Sequence, residues 1–321
     1  MKAHNPSICL TSLCHWFGVT RQAYYKQKHQ SAQQCIQESL IVDRILTIRK
    51  RHPSKGVRKL HDDLQPLFTD LGMSMGRDAL YAVLSRWSLL ARPRRKRVRT
   101  TDSRHRYRLY ADHYNGFVSS NVNQAWVADI TYWSVAPGKF YYISLLTDAY
   151  SRMILGYTIA DSLHADHCVA ALEMALSSLP ETSTTPLIHH SDRGSQYCSD
   201  KYVSLLAKHE ITISMTQSGD PLDNAIAERV NGIIKTEYLD HRRATSLDEA
   251  RAYLAAAVHL YNAERQHLSL NMQTPADVHY GRAIKPVRRL WKLHFRQQTL
   301  AVTSSHDTDN RLQDNISTVN Q

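Results

Sequence analysis

Residues 124–133 read Gln-Ala-Trp-Val-Ala-Asp-Ile-Thr-Tyr-Trp, a run rich in aromatic and branched side chains with one carboxylate, Asp129, inside it. That composition is the composition of a strand within a sheet. A carboxylate buried there without a partner is heavily unfavourable. A lysine or backbone N–H groups would satisfy Asp129 at a strand edge, and a metal ion would satisfy it in an active site. The stretch alone leaves both readings open.

Working outward, Pro137-Gly138 marks a turn, and residues 140–146 and 153–160 read as two further strands. Three strands joined so closely predict an antiparallel meander. Alanines and leucines at helical spacing predict a helix over 164–179. A strand follows at 187–191, a helix at 200–209 and a short strand at 212–215. Two helices close the unit. One covers about 222–238, and the other opens with the capping box Ser246-Leu-Asp-Glu249 and continues through Tyr261. The order βββ-α-β-α-β-α predicts an α/β fold, a mixed five-stranded sheet with flanking helices.

Two more carboxylates stand out. In Leu187-Ile-His-His-Ser-Asp-Arg-Gly-Ser-Gln-Tyr197, Asp192 directly follows an apolar strand, and Gly194 lets the chain turn away and clears space beside it. Ligands gather beyond strand ends in sheets of this type. An ordinary loop pairing Asp192 with Arg193 remains the plainer alternative. Glu228 and Lys235 are seven residues apart, close to two helical turns, with Asn231 between them on the same face. Three acidic residues from two strands and a helix can converge on two divalent cations. Hard oxygen ligands suit Mg²⁺ or Mn²⁺. Such an ion pair stabilises the attacking and leaving oxygens of a phosphoryl displacement. A zinc hydrolase built on His189, His190 and Asp192 would need a further ligand from His164 or His167, and no motif supplies one.

Charge divides the chain. Residues 1–108 carry 22 Lys/Arg against 7 Asp/Glu, a net of +15, whereas residues 109–321 carry 18 against 22, a net of −4. A surplus confined to one third of the chain is an electrostatic footprint for a polyanion, most simply nucleic acid. The same third reads as helical. Leu10, Leu13, Trp16 and Phe17 precede Gly18, and Thr20 can cap a following basic helix, which is a helix-turn-helix pattern over residues 1–35. Residues 36–91 read as further short helices, with Ile41, Ile45, Ile48, Val57, Leu60 and Leu64 inward. A last helix there, residues 77–87, is expected to be capped by Ser74 and to turn Trp87 inward. Residues 92–110 form a basic linker in which Arg92, Arg94, Arg95, Lys96, Arg97 and Arg99 are expected to grip phosphates. A core over 111–281 and a basic, then polar and disordered tail over 282–321 complete the organisation.

Five cysteines with no C-x-x-C pair argue against a disulfide framework or a zinc ribbon. The first residues are too polar for a secretory signal, and no apolar run approaches a membrane span. A cytoplasmic protein is expected.

The spacing then becomes specific. Thirty-five residues separate Asp192 from Glu228, and with Asp129 upstream this resembles the D, D-35-E pattern of retroviral-integrase-like transposases. Trp126-Val-Ala-Asp-Ile-Thr-Tyr132, His190-Ser-Asp-Arg-Gly-Ser-Gln-Tyr197 and Asp223-Asn-Ala-x-x-Glu228 resemble the core of insertion-sequence transposases encoded by a second, frameshifted reading frame. So do Lys235, Tyr261-Asn-x-x-Arg265-x-His267-x-Ser-Leu270, Thr274-Pro-Ala276, Gly56-Val-Arg-Lys-Leu60 and the basic linker. Gln266 departs from the family, which more often has proline there. The resemblance covers about residues 10–281. It implies an RNase H-like core that binds insertion-sequence ends, cuts one strand and joins the freed 3′-OH to other DNA. Asp129, Asp192 and Glu228 would be catalytic and hold two Mg²⁺ or Mn²⁺ ions. Lys235, Asn231, Arg193 and Asn224 would contact DNA. It further implies a homo-multimer on DNA, a first-reading-frame partner or fusion, and a bacterial, nucleoid-associated location. An inactive DNA-binding regulator and an RNase H-like nuclease are the rival readings.

Overall fold

The structure, a computed structural model, describes residues 9–91, 106–136, 138–179, 186–217 and 224–287, with the backbone alone for 27–35. The linker residues Arg92, Arg94, Arg95, Lys96, Arg97 and Arg99, and the tail beyond 287, lie outside the described residues.

Five strands form one sheet: β1 (Ala125–Ala136), β2 (Lys139–Asp148), β3 (Ile154–Ala160), β4 (Ile188–Ser191) and β5 (Thr212–Met215), in the order β3-β2-β1-β4-β5. β1, β2 and β3 are the expected antiparallel meander, while β4 and β5 run parallel to β1. The parallel strands are reached through α6 (Ala165–Leu176) and α7 (Asp200–Lys208). β1 is central, and its alternation places two apolar sets on opposite faces. Trp126 and Ala128 join Leu172, Tyr202 and Leu206 on the α6–α7 side. Ala125 and Val127 pack with Ala227, and Trp133 packs with Val230, Ile233 and Tyr261 on the other side. That second side is covered by α8 (Ala225–Ile233) and α9 (Leu247–Ala263). The fold is thus the RNase H-like mixed sheet with flanking helices.

Gly156 shows how closely α6 lies on β3. A Cβ there would stand 1.9 Å from the carbonyl oxygen of Ala171. At the start of α9 the Ser246 hydroxyl accepts from Glu249 N at 3.1 Å, while the Glu249 carboxylate accepts from Thr245 N at 2.8 Å. The capping box is therefore closed one residue earlier than its usual form.

The N-terminal helices are α1 (Leu10–Trp16), α2 (Arg21–Arg51), α3 (Val57–Asp63), α4 (Gln65–Asp70) and α5 (Arg77–Arg86). Gly18, at φ +65°, makes the turn after α1. Thr20 caps α2 by accepting from Ala23 N at 3.1 Å. Two expectations change here. α2 is one continuous helix of 31 residues, so position 35 lies inside it. No glycine or proline stands between Val19 and His52 to break it. α5 is capped at Gly76 without a side-chain bond, not by Ser74, and Trp87 is 47% exposed instead of inward. Ile41, Ile45, Leu60, Leu64, Phe68, Leu80 and Leu84 form the core of this region. Among the described residues, no helix is long and apolar enough to cross a membrane.

Candidate active site

Register brings the first two carboxylates together. Val127 pairs with His190 in the parallel β1–β4 ladder, two residues before Asp129 and Asp192 respectively. Alternation along β1 gives Asp129 the face of Val127, and Asp192 follows directly on the last residue of β4. The third carboxylate arrives on α8, whose first turn carries Glu228. That position suits a negative charge beside the exposed N–H groups of a helix start.

α8 is fastened to β1 at three points. Asn224 Nδ2 donates to the carbonyl of Ala128 at 2.9 Å. Asn231 Nδ2 donates to Asp129 Oδ2 at 2.8 Å. Lys235 Nζ donates to Thr131 Oγ1 at 2.9 Å and lies 4.4 Å from the centre of the Tyr132 ring. Lys235 belongs to a π-helical turn, Ile234–Leu239, that continues α8. Widened turns of this kind recur at functional sites. The Glu228–Asn231–Lys235 stripe exists as expected, but Asn231 and Lys235 face β1 and are buried. Arg193 is likewise engaged within the protein, donating from Nε to Thr216 O at 2.6 Å and from Nη2 to Gln217 O at 2.7 Å.

Burial pushes the Asp129 carboxyl up to about 7; the negative charge of Asp192 adds to the rise, Asn231 opposes it, and Glu228 adds more. Asp192 and Glu228 are therefore each within electrostatic reach of Asp129. Among the described residues, no three Asp, Glu, His or Cys side chains converge tightly enough to hold a metal ion as they stand. The donor set nevertheless fits a hard divalent cation, since every candidate ligand is an oxygen and negative charge has accumulated. Asn224 Oδ1 and Asn231 Oδ1 add two buried oxygens without a hydrogen-bond partner beside it.

Gly194 stands against the carboxylate two residues before it. Its N–H donates to Asp192 Oδ1 at 3.0 Å. A Cβ on it would meet that same oxygen at 3.0 Å and Gln196 Oε1 at 3.1 Å. The glycine makes room for the Asp192 carboxylate.

The histidines leave the chemistry. His189 is buried on the α7 side with Nε2 2.8 Å from the Tyr202 hydroxyl, and burial lowers its pKa to about 3. His190 points to the other face, with Nδ1 2.9 Å from Ser214 Oγ and its ring on Tyr114. Two side chains on opposite faces cannot share a zinc ion. Sequence reading also missed the buried Asp148 hub. Its carboxylate accepts from Asn123 N at 2.8 Å and from Ser151 N at 2.7 Å, tying β2 to the loops around it. Missed as well were Thr131 and Tyr132 as the seat of Lys235. Their place opposite α8 depends on the tertiary fold, which no local signal carries.

A five-stranded sheet of this order, with flanking helices, is the fold in which comparisons with known proteins place the chain. Residues 119–221 and 209–275 match two family models, each described as an integrase core domain. The chain is 33% identical to the insertion element IS600 uncharacterized 31 kDa protein of Shigella sonnei, covering 82% of this chain and 96% of the relative. It is 31% identical to the transposase for insertion sequence element IS629 of Shigella sonnei, covering 71% of this chain and 74% of that protein. With the transposase InsF for insertion sequence IS3A of Escherichia coli K12 it shares 26% identity over 83% and 92% of the two chains. The protein belongs to the insertion-sequence transposases with an integrase core domain. Among solved structures, the HTLV-2 integrase catalytic core domain in complex with magnesium aligns with 50% of this chain and 99% of its own, at 20% identity and a TM-score of 0.40. The sheet order and the family match, not that superposition, carry the assignment.

Proposed function

We propose that this transposase binds the ends of its insertion sequence, cuts one strand and transfers the resulting 3′-OH to other DNA, with Asp129, Asp192 and Glu228 as the catalytic carboxylates. The observation that supports this reading is the mutual influence of the carboxylates: the charges of Asp192 and Glu228 both help to raise the Asp129 carboxyl. In the first step water attacks phosphorus and the P–O3′ bond breaks, leaving a 3′-OH on the element. In the second, that oxygen attacks a target phosphorus and displaces a target 3′ oxygen, which takes up the proton. The three carboxylates would hold two Mg²⁺ or Mn²⁺ ions, which when bound stabilise the attacking and leaving oxygens.

The remaining residues position these groups. Asn224 holds the start of α8 against β1, and Asn231 orients the Asp129 carboxylate. Arg193, and Lys235 once released from Thr131, would reach phosphates by exchanging their protein partners for DNA. The helical region, residues 1–35 and 36–91, with the basic linker of 92–110, is proposed to recognise the terminal repeats. The core of 111–281 performs the chemistry. A homo-multimer on DNA, a first-reading-frame partner or fusion, and a cytoplasmic, nucleoid-associated location accord with this reading.

The test uses labelled terminal DNA with Mg²⁺. Asp129→Asn, Asp192→Asn and Glu228→Gln should each lower strand cleavage by at least about a thousandfold and leave end binding within about threefold. Unchanged cleavage by Asp192→Asn would remove the mechanism. A labelled 3′-OH end separates the rivals: joined product marks a transposase, hydrolysis alone a nuclease, and binding alone a regulator.

A further inference from the structure

Arg265 and His267 belong to the stretch Tyr261–Leu270, which the proposed chemistry leaves unused. Arg265 follows α9, and its N–H donates to Leu260 O at 2.9 Å, closing the end of that helix. The residue is only 6% exposed. Its guanidinium forks onto the Glu237 carboxylate, Nε to Oε2 at 2.8 Å and Nη2 to Oε1 at 2.9 Å. Nη1 donates to His267 Nε2 at 3.0 Å. Burial, and after it the Arg265 charge, lowers the pKa of His267 well below its usual value, so its ring is neutral and accepts.

Glu237 lies on the π-helical turn Ile234–Leu239, two residues after Lys235. Residues two apart on a helix do not share a face, and here Lys235 goes to Thr131 on β1 while Glu237 goes to Arg265. The turn is closed by the wide bond of a π-helix, Asp240 N to Lys235 O at 2.7 Å. Such turns are rare, so the surroundings must hold this one open. Ile234, Tyr238 and Leu239 share an apolar cluster with Leu254 and Val258 of α9. That packing keeps the turn on α9 but, being non-directional, does not fix its phase. The Tyr238 hydroxyl adds one neutral contact, 3.1 Å from His52 Nδ1. Charged, forked bonds are roughly twice as strong and carry their own geometry. A buried ion pair is a weak source of stability, because desolvation offsets its attraction, and its best-attested use is to fix a register.

We propose that Arg265 is a positioning residue for DNA: through Glu237 it fixes the π-helical turn, and the turn sets Lys235 where its ammonium passes from Thr131 to a phosphate. This rests on the DNA-cutting role proposed above for the site. Without the fork the turn is free to relax to α-helical spacing. That would rotate Lys235 against α8 by up to about 100°, one residue's share of a helical turn.

The experiment measures binding of duplex terminal DNA against salt concentration, by the full chain in the Asp192→Asn background so that no cleavage intervenes. Arg265→Lys keeps the charge but cannot fork. It should lower the salt slope by about 0.9, the share of one duplex phosphate, although the residue is buried and no charge is lost. Lys235→Ala should lower the slope equally, and the two changes together no further, since both remove the same contact. Glu237→Gln keeps the shape of the side chain and should act as Arg265→Lys does, even though it removes a negative charge. It decides the matter should Arg265→Lys fail to fold. A merely structural role would lower the melting temperature and leave the slope as it was. An unchanged slope in these variants, or losses that add to that of Lys235→Ala, would overturn the proposal. Wild-type protein that never cleaves, combined with the predicted slopes, would instead remove the catalytic reading and leave the clamp standing.

Discussion

β1 is buried on both faces, with Trp126 and Ala128 against one apolar cluster and Val127 and Trp133 against others. The N-terminal helices close around a single cluster of their own and meet the sheet region through polar groups instead. His52 Nδ1 lies 3.1 Å from the Tyr238 hydroxyl, and its Nε2 lies 3.3 Å from Glu264 Oε2. Arg51 also pairs with Glu264, Ser54 Oγ lies 2.9 Å from His241 Nε2, and Gln266 Nε2 donates to Asp62 at 3.1 Å. Apolar burial on two sides makes the carboxylate platform stiff. A polar junction gives up comparatively little when water replaces it, because its hydrogen bonds are exchanged, not lost. Stiffness thus sits where chemistry needs fixed geometry, and separability sits where a DNA-binding region meets that platform.

The most severe way to break the sheet side is acid. The pKa of His189 is lowered from 6.5 to about 3, by burial first and by the neighbouring His190 second. Above pH 6.5 the ring is neutral in both folded and unfolded chains, and stability is unaffected. As pH falls below 6.5 the unfolded chain binds a proton that the folded chain refuses, so stability drops until about pH 3. The loss approaches about 4 kcal/mol. His189→Gln keeps a polar partner for Tyr202 without the titration. Urea unfolding from pH 7 to 3.5 should show a flatter decline for the variant, and parallel curves would exclude His189 as the cause.

Gly156→Ala strikes the same region sterically. The added Cβ falls 1.9 Å from Ala171 O, a backbone atom, so α6 must move off β3. A loss of about 3 kcal/mol is expected, read as a lower melting temperature with the α2–α5 helices still protected from hydrogen exchange. Simultaneous loss of protection in both regions would erase the distinction drawn between them.

How far the site was legible follows from the same contrast. Strands and helices of the sheet region announced themselves by composition and period, and Asp129, Asp192 and Glu228 by position and spacing. The direction of the Asn231–Lys235 stripe did not. A helix wheel tells which residues share a face but not what that face meets, and here it meets Asp129 and Thr131. The π-helical turn that seats Lys235 left no sequence signal either. Gly194 was visible as a turn residue, yet its neighbour, the Asp192 carboxylate, emerged only in three dimensions. The continuous α2 was legible in principle, because its middle lacks any breaker.

The smallest effects belong to the junction, and they sharpen the comparison by separating its buried from its exposed contacts. His52 is 8% exposed, and its ring is held on both sides, so His52→Ala takes the ring from the Tyr238 hydroxyl and one of two contacts from Glu264, and should cost about 1–2 kcal/mol of docking. The Arg51 side chain is 62% exposed, and its ion pair with Glu264 is screened by water. Arg51→Ala should therefore change little, within about 0.5 kcal/mol. Hydrogen exchange reads both. His52→Ala should raise exchange together in residues 52–63 and 234–241 while β1 and β4 stay protected; Arg51→Ala should leave all of these as they were. Should Arg51→Ala loosen the junction as much as His52→Ala, long-range charge rather than the buried ring would be holding the helices, and the loss should then shrink as salt is raised.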